Sequence, residues 1–347
     1  MTRAGPWSRS NDARRIVTAA GPAWAEALAV ALGAHDVRAL RRLSGGASRE
    51  TWAFEAHGRP LILQRARPGG VTSAALATEV ELLRAARAAG VPVPAVVLSG
   101  GEVDGDHDGN LDGNGVDAGR LGRSWMVVEQ IEGETIPRRI LRDAEFAAAR
   151  PLLAAQCGRA LAAVHSIDRE RVSGLDPTDQ FDRFRELLDA MEEPHPAFEL
   201  GFRWLERNRP PRRADTVVHG DFRNGNLVVG PDGLRAVLDW ELAHLGDPLE
   251  DLGWLCVRAW RFGALPRVGG FGDVDELVAA YESAPASTGT VDRDALAWWE
   301  AMGTLKWGVM CMLQAATHLS GTVRSVELAA IGRRVCEVEH DLLLLLP

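Results

Sequence analysis

The stretch VVHGDFRNGNLVV, residues 217–229, sets a histidine, an aspartate, an arginine and two asparagines between two short runs of valine and leucine. By itself it reads equally as a polar turn between strands or as the floor of an active site. Its surroundings separate the two. Asn226 follows Asp221 by five residues, and the next β-like run, LRAVLDWE, ends in Asp239-Trp240-Glu241. A Pro-Asp-Gly turn at Pro231 to Gly233 joins NLVVG to that run as a hairpin. Residues 226 and 239 flank the hairpin, so Asp221, Asn226 and Asp239 are expected along one edge. Hard oxygens at such an edge suit Mg²⁺, which takes a few protein ligands together with substrate phosphates. A further carboxylate, Asp221, is suited to accept a proton from an attacking hydroxyl.

The rest of the chain frames this edge. Its 347 residues exceed one typical core and imply two lobes around a cleft. A net charge of -9 argues against a surface built for the nucleic-acid backbone. No apolar run approaches the ~20 residues of a membrane helix, and the N-terminal stretch lacks a signal-like apolar core, so a cytoplasmic protein is expected. Cys157, Cys256, Cys311 and Cys336 are scattered in apolar, helix-like contexts and read as buried free thiols. Lys306 is the sole lysine among 39 basic residues.

Residues 1–130 alternate β-like runs and turns, a meander with its second turn at His57 to Pro60, followed by the helical stretch VTSAALATEVELLRAARAAG. From about Thr135 the pattern is helical apart from the hairpin region. The expectation is an α+β, bilobal fold: a β-rich N-lobe with one main helix over 1–130, a connector near Gln130 to Glu134, and a larger helical lobe over 131–347. An insert at about 101–120 contains DGDHDGNLDGNG, which opens like a calcium-binding loop. It carries Gly115 where the bidentate glutamate belongs, and reads as a disordered acidic connection.

The order Asp-x-x-x-x-Asn, hairpin, Asp is that of the protein-kinase catalytic loop and metal aspartate. VVHGDFRNGNLVV followed by AVLDWELAHLGDPLEDLGW resembles the signature of the aminoglycoside phosphotransferase and choline kinase superfamily. The resemblance is nearest to the bacterial phosphotransferase branch also found fused to acyl-CoA dehydrogenases, with counterparts for SGGASRETW, LILQRARPGG, EVELLRAARAAGVPVP, WMVVEQIEGE, LAAVHSID and GRRVCEVEHDLL. It implies a protein-kinase-like fold and ATP- and Mg²⁺-dependent transfer of the γ-phosphate to a small-molecule hydroxyl acceptor, by a monomer or homodimer. Asp221 would be the base, Asn226 and Asp239 the Mg²⁺ ligands, and Glu129, Gln130 and Ile131 the hinge that receives adenine. His219 joins the catalytic group as a brace for the loop.

In kinases a strand lysine paired to a helix glutamate contacts the α- and β-phosphates. This chain has none there, so Arg65 is assigned to the position, with Gln64 one residue away; Glu79 is the expected helix partner and Glu81 the fallback. The turn Ser44, Gly45, Gly46 to Ser48 precedes that strand and is placed to fold over phosphates. Asp247 and Asp251 are expected to cap the following helix and hold the catalytic loop. Trp299, Lys306, Trp307 and Gln314 read mostly as core and otherwise as pocket lining.

Two other readings compete. His219, Asp221, Asp239, Glu241, His244 and Asp247 are a possible metallohydrolase set, which predicts tightly held zinc or manganese. The missing strand lysine suits a non-catalytic nucleotide-binding module.

Overall fold

The computed structural model describes residues 24–43, 49–66, 73–101, 121, 124–213 and 215–347. The calcium-like insert and the Ser44, Gly45, Gly46 and Ser48 turn lie outside the described residues. The first lobe comprises α1 (Trp24–Ala31), β1 (Arg38–Arg42), β2 (Arg49–Ala56), β3 (Arg59–Ala66), α2 (Ser73–Ala88), β4 (Val96–Gly101) and β5 (Ser124–Glu129). Its strands form one sheet in the order β1-β2-β3-β5-β4, antiparallel throughout. His57 takes φ 52° and Gly58 φ 69° in the β2–β3 turn, the left-handed pair that a two-residue hairpin requires.

Alternation along β3 divides the sheet into two faces. Leu61 and Leu63 join Phe54, Trp125, Val127 and Trp24 in an outer core under α1, whereas Ile62 lies with Met126 and Val128 on the face toward α2 and the second lobe. The α2 segment is rich in alanine and leucine, good helix formers, and buries Leu76, Val80, Leu82 and Leu83. It ends in a Schellman turn: Gly90 at φ 87°, with Val91 N–H on Ala86 O (2.9 Å) and Gly90 N–H on Arg87 O (3.1 Å).

The second lobe comprises α3 (Pro137–Arg142), α4 (Arg150–His165), α5 (Gln180–Ala190), α6 (Pro196–Arg207), β6 (Thr216–Val218), β7 (Leu227–Gly230), β8 (Gly233–Val237), β9 (His244–Gly246), α7 (Leu249–Cys256), α8 (Val274–Glu282), α9 (Arg293–Leu319), α10 (Val326–Gly332) and α11 (Val335–Leu345). The 27-residue α9 is its axis, packed on by α5, α6, α7, α10 and α11. The strands form two small antiparallel pairs, β7–β8 and β6–β9. The fold is therefore α+β and bilobal, with the expected hairpin inside the helical lobe.

Several contacts among the described residues tie the lobes, including the Val237 N–H on Pro92 O (2.8 Å). Glu134 exchanges two backbone hydrogen bonds with Val229 (2.9 and 3.0 Å), which anchors the connector on the hairpin. Glu81, on α2, accepts from the backbone N–H and hydroxyl of Ser173, both at 2.8 Å. Among the described residues no helix is long and apolar enough to cross a membrane. Cys157, Cys256 and Cys311 are buried free thiols; Cys336 is free but exposed, because it lies on the outward side of α11's first turn.

Candidate active site

The loop after β6 is fixed by backbone geometry before any side chain acts. Gly220 adopts φ 76°, and a Cβ there would collide with Leu242 O, so only glycine allows the turn between His219 and Asp221. Asp251, fully buried on α7, accepts the backbone N–H groups of His219 (2.7 Å) and Gly220 (2.9 Å), together with His165 Nε2 (3.2 Å). These bonds and the neighbouring His165 hold its carboxyl below the usual range, although burial opposes this. Asp247 instead accepts the N–H of Leu249 at 2.9 Å, at the start of α7. The two aspartates thus divide the expected tasks, one fixing the loop and the other the helix start.

His219 is completely buried. Its Nδ1 accepts the Asp221 N–H (3.2 Å), so the proton sits on Nε2, which donates to Leu238 O (3.1 Å). Burial lowers its pKa, consistent with a neutral ring. With both nitrogens engaged it is a brace between the loop and the strand leading to Asp239, not a reacting group.

The Asp221 carboxylate is oriented from three directions. Oδ1 accepts from Arg223 Nε and Trp254 Nε1, both at 2.9 Å, and Oδ2 accepts from Asn226 Nδ2 at 2.6 Å. The same Asn226 nitrogen reaches Asp221 O at 3.0 Å, which directs the amide oxygen of Asn226 away from Asp221. Leu238 N–H donates to Asn226 O at 2.8 Å, continuing the β7–β8 pairing past the hairpin and drawing the residue before Asp239 alongside Asn226. The edge inferred from the hairpin is present.

Asp239 is a non-glycine residue at φ 67°, a sparsely populated region that aspartate tolerates better than most. Its side chain is exposed to the cleft, but the surrounding protein desolvates it in part and Glu241, Asp221 and Glu79 add negative charge that Arg223 only partly offsets; its carboxyl is pushed up to about 7. Among the described residues it has no hydrogen-bond or ion-pair partner. A carboxylate gathered with like charges and without an ion-pair partner fits a divalent metal, for which Asp239 and the Asn226 amide oxygen supply hard oxygens. The metallohydrolase set is not assembled: His244 is engaged by Leu242 O (2.9 Å) and Glu250 (3.1 Å), and among the described residues no three His, Cys, Asp or Glu side chains converge to hold a metal.

The site opens into a cleft of about 940 Å³ between the lobes, lined by Gln64, Glu79, Met126, Val128, Asn226 and Asp239 among others. The connector between the lobes follows β5. The Glu129 and Gln130 amides are committed to Ala95 O (3.0 Å) and Pro60 O (3.2 Å), whereas that of Ile131 has no partner among the described residues.

Arg65 corrects the sequence reading. Its parity places it with Leu61 and Leu63 on the outer face, where Nε donates to Leu121 O at 2.6 Å and the guanidinium lies 5.0 Å from the Trp24 ring. It does not meet Glu79. Gln64 is the β3 residue that faces the cleft, and the cation paired with Glu79 is Arg49, on β2. Arg49 stands in the SGGASRETW stretch, but neither it nor Arg223 is singled out by sequence; strand parity is the signal that points to the former. Of the pocket candidates on α9, Trp299 and Trp307 are buried, Gln314 lines the cleft, and Lys306 is buried against Gly220 O (3.1 Å) and Glu250 (3.0 Å).

The profile of the phosphotransferase enzyme family matches residues 39–299, three quarters of the chain and the whole of this site. The chain belongs to that family. Among curated relatives of this phosphotransferase, acyl-CoA dehydrogenase family member 10 of Mus musculus is 28% identical over 258 residues, covering 70% of this chain and 23% of the relative. Acyl-CoA dehydrogenase family member 11 of Gallus gallus is 28% identical over 231 residues, covering 62% and 27%. The chain thus spans about a quarter of the length of these relatives. Among solved structures, a Ralstonia eutropha protein assigned to the aminoglycoside phosphotransferases superposes with TM-score 0.65 at 19% identity, covering 88% of this chain and 92% of that one. A thermostable mutant of aminoglycoside phosphotransferase APH(4)-Ia, in ternary complex with AMP-PNP and hygromycin B, gives TM-score 0.59 at 14% identity, covering 92% and 99%. At these identities the likeness extends to the fold.

Proposed function

We propose that this phosphotransferase uses ATP with Mg²⁺ and transfers the γ-phosphate to a hydroxyl of a small-molecule acceptor, with Asp221 as base. One observation carries the reading: the Asp221 carboxylate, held from three sides, is bonded to Asn226, which lines the cleft together with the unpaired, charge-crowded Asp239. The family match and the APH(4)-Ia complex with AMP-PNP support a nucleoside triphosphate as donor.

The metal would be held by Asp239 and Asn226 and would neutralise charge on the phosphates. Asp221 accepts the acceptor's hydroxyl proton as its oxygen attacks the γ-phosphorus, and ADP leaves in line. The Ile131 amide is the hinge donor for adenine, whose ring would pack on the cleft-lining Met126 and Val128. Arg223, bonded to Asp221 and 4.6 Å from the Trp260 ring, lines the cleft and puts positive charge next to the base.

The test is ADP release screened across aminoglycosides, macrolides, choline-like amines, sugars and hydroxyacyl-CoAs. One class is expected to stimulate release, and Asp221→Asn to reduce it by about 10²- to 10⁴-fold. An Asp221→Asn enzyme with wild-type turnover would sink the mechanism.

A further inference from the structure

Phosphoryl transfer of this kind requires a cation on the nucleotide's α- and β-phosphates, ordinarily a lysine of the third strand braced by a helix glutamate. This chain offers none there. Its single lysine is buried in the second lobe, Gln64 takes the cleft-facing place on β3, and Arg65 is turned to the outer core. The position has nevertheless not lost its glutamate: Glu79 of α2 is buried at the cleft wall.

We propose that Arg49, the first residue of β2, is the phosphate-gripping cation of this enzyme, so that the charge has moved one strand across the sheet. The inference rests on the kinase reading above. Four observations carry it. Antiparallel register sets Arg49 opposite Ala66 and Thr51 opposite Gln64, and the alternation that sends Trp52 and Phe54 to the outer core sends Arg49 and Thr51 to the cleft. The Arg49 guanidinium forms the ion pair with Glu79, both side chains at most 7% exposed. Its Nη1 lies 3.4 Å from Gln64 Oε1, so the residue in the lysine's place steers the arginine. Its Nε has no hydrogen-bond partner among the described residues.

The chemistry favours arginine for a cation that starts from the neighbouring strand. A planar fork can hold a carboxylate along one edge and present its remaining N–H groups to a phosphate, and it keeps its charge when buried. A lysine has one nitrogen for both partners. The nearest opposing charges on the far side, Glu241 at 3.7 Å and Asp239, place Arg49 beside the candidate metal site, where a metal-bound nucleotide would bring its phosphates.

The test uses calorimetric binding of Mg-ADP and of adenosine, which lacks phosphates. Arg49→Ala is expected to weaken Mg-ADP about 10- to 100-fold and leave adenosine unchanged. Adding Gln64→Lys to it, which returns a cation to β3, is expected to restore part of the loss. Because Arg49→Ala strands a buried Glu79, the neutral pair Arg49→Met with Glu79→Gln serves as the foldable variant, checked by its unfolding midpoint, and should show the same selective loss. A folded double variant that binds Mg-ADP as the wild type does, or that loses both ligands equally, overturns the proposal while leaving the kinase reading intact. Wild-type protein that binds neither ligand overturns the kinase reading, and this inference with it.

Discussion

Trp254 donates its indole N–H to Asp221 Oδ1 across 2.9 Å, so α7 reaches the proposed base directly as well as through Asp251. The ring is fully buried beside Trp260, and the bond fixes the carboxylate's rotation, not the loop's path. Trp254→Phe removes a donor to a charged acceptor, an interaction worth about 1.5–3 kcal/mol. Turnover is expected to fall roughly 10- to 100-fold while Mg-ADP affinity holds. Equal losses in turnover and nucleotide affinity would contradict a role confined to the base.

Asp251 and Asp247 should separate by cost. Asp251→Ala leaves the N–H groups of His219 and Gly220 buried without acceptors, at about 1–3 kcal/mol each. Asp247→Ala loses a bond at a helix start, about 1 kcal/mol. Urea midpoints should therefore fall clearly further for Asp251→Ala, and activity should fall with them; the reverse order would refute this assignment.

Lys306 closes a buried network. Its ammonium bonds Glu250 (3.0 Å) and Gly220 O (3.1 Å) and lies 4.8 Å from the Trp254 ring, while His244 takes the other oxygen of Glu250 (3.1 Å). Burial works against the Glu250 charge, but Lys306 and His244 outweigh it and draw its carboxyl down to about 2. The unfolded value is near 4.5, so this stabilisation is full above that pH and is lost as pH falls toward 2. Lys306→Met strands the carboxylate and should cost about 3–5 kcal/mol at neutral pH. Acid titration of the unfolding midpoint should show the gap between variant and wild type shrinking as pH falls toward 2, because Glu250 without Lys306 takes up its proton in the folded state before the wild-type carboxyl does. A constant gap would contradict it.

What sequence could reveal here followed covalent proximity. The proposed base, the candidate metal ligands and the hairpin lie within 19 residues of one another, and turn chemistry at Pro231 to Gly233 sets their register, so the grouping of Asp221, Asn226 and Asp239 was readable before any coordinates. The phosphate grip depends on which face of a strand a side chain takes, and a one-residue change in parity exchanges Gln64 for Arg65. Two consecutive polar positions, Gln64 and Arg65, followed by the small Ala66 that ends β3, gave no hydrophobic alternation to settle it. Contacts such as Trp254 to Asp221 and Lys306 to Gly220 span 33 and 86 residues, and only tertiary packing of α7 and α9 creates them.

Asp239 supplies a pH test that needs no acceptor. Partial desolvation in the cleft and the charges of Glu241, Asp221 and Glu79 raise its carboxyl from 3.8 to about 7. The folded chain therefore holds a proton that the unfolded chain releases between those values, and metal-free stability should fall as pH rises through that window. A divalent cation needs the ionised form, so its affinity should change in the opposite sense, strengthening about tenfold from pH 6 to pH 8 and levelling above. Calorimetric titration of Mg²⁺ into the ADP-bound protein measures it. Asp239→Asn should bind weakly with little dependence on pH over this range, and its metal-free stability should no longer decline there. A wild-type affinity that is flat from pH 6 to pH 8 would remove Asp239 as the titrating ligand.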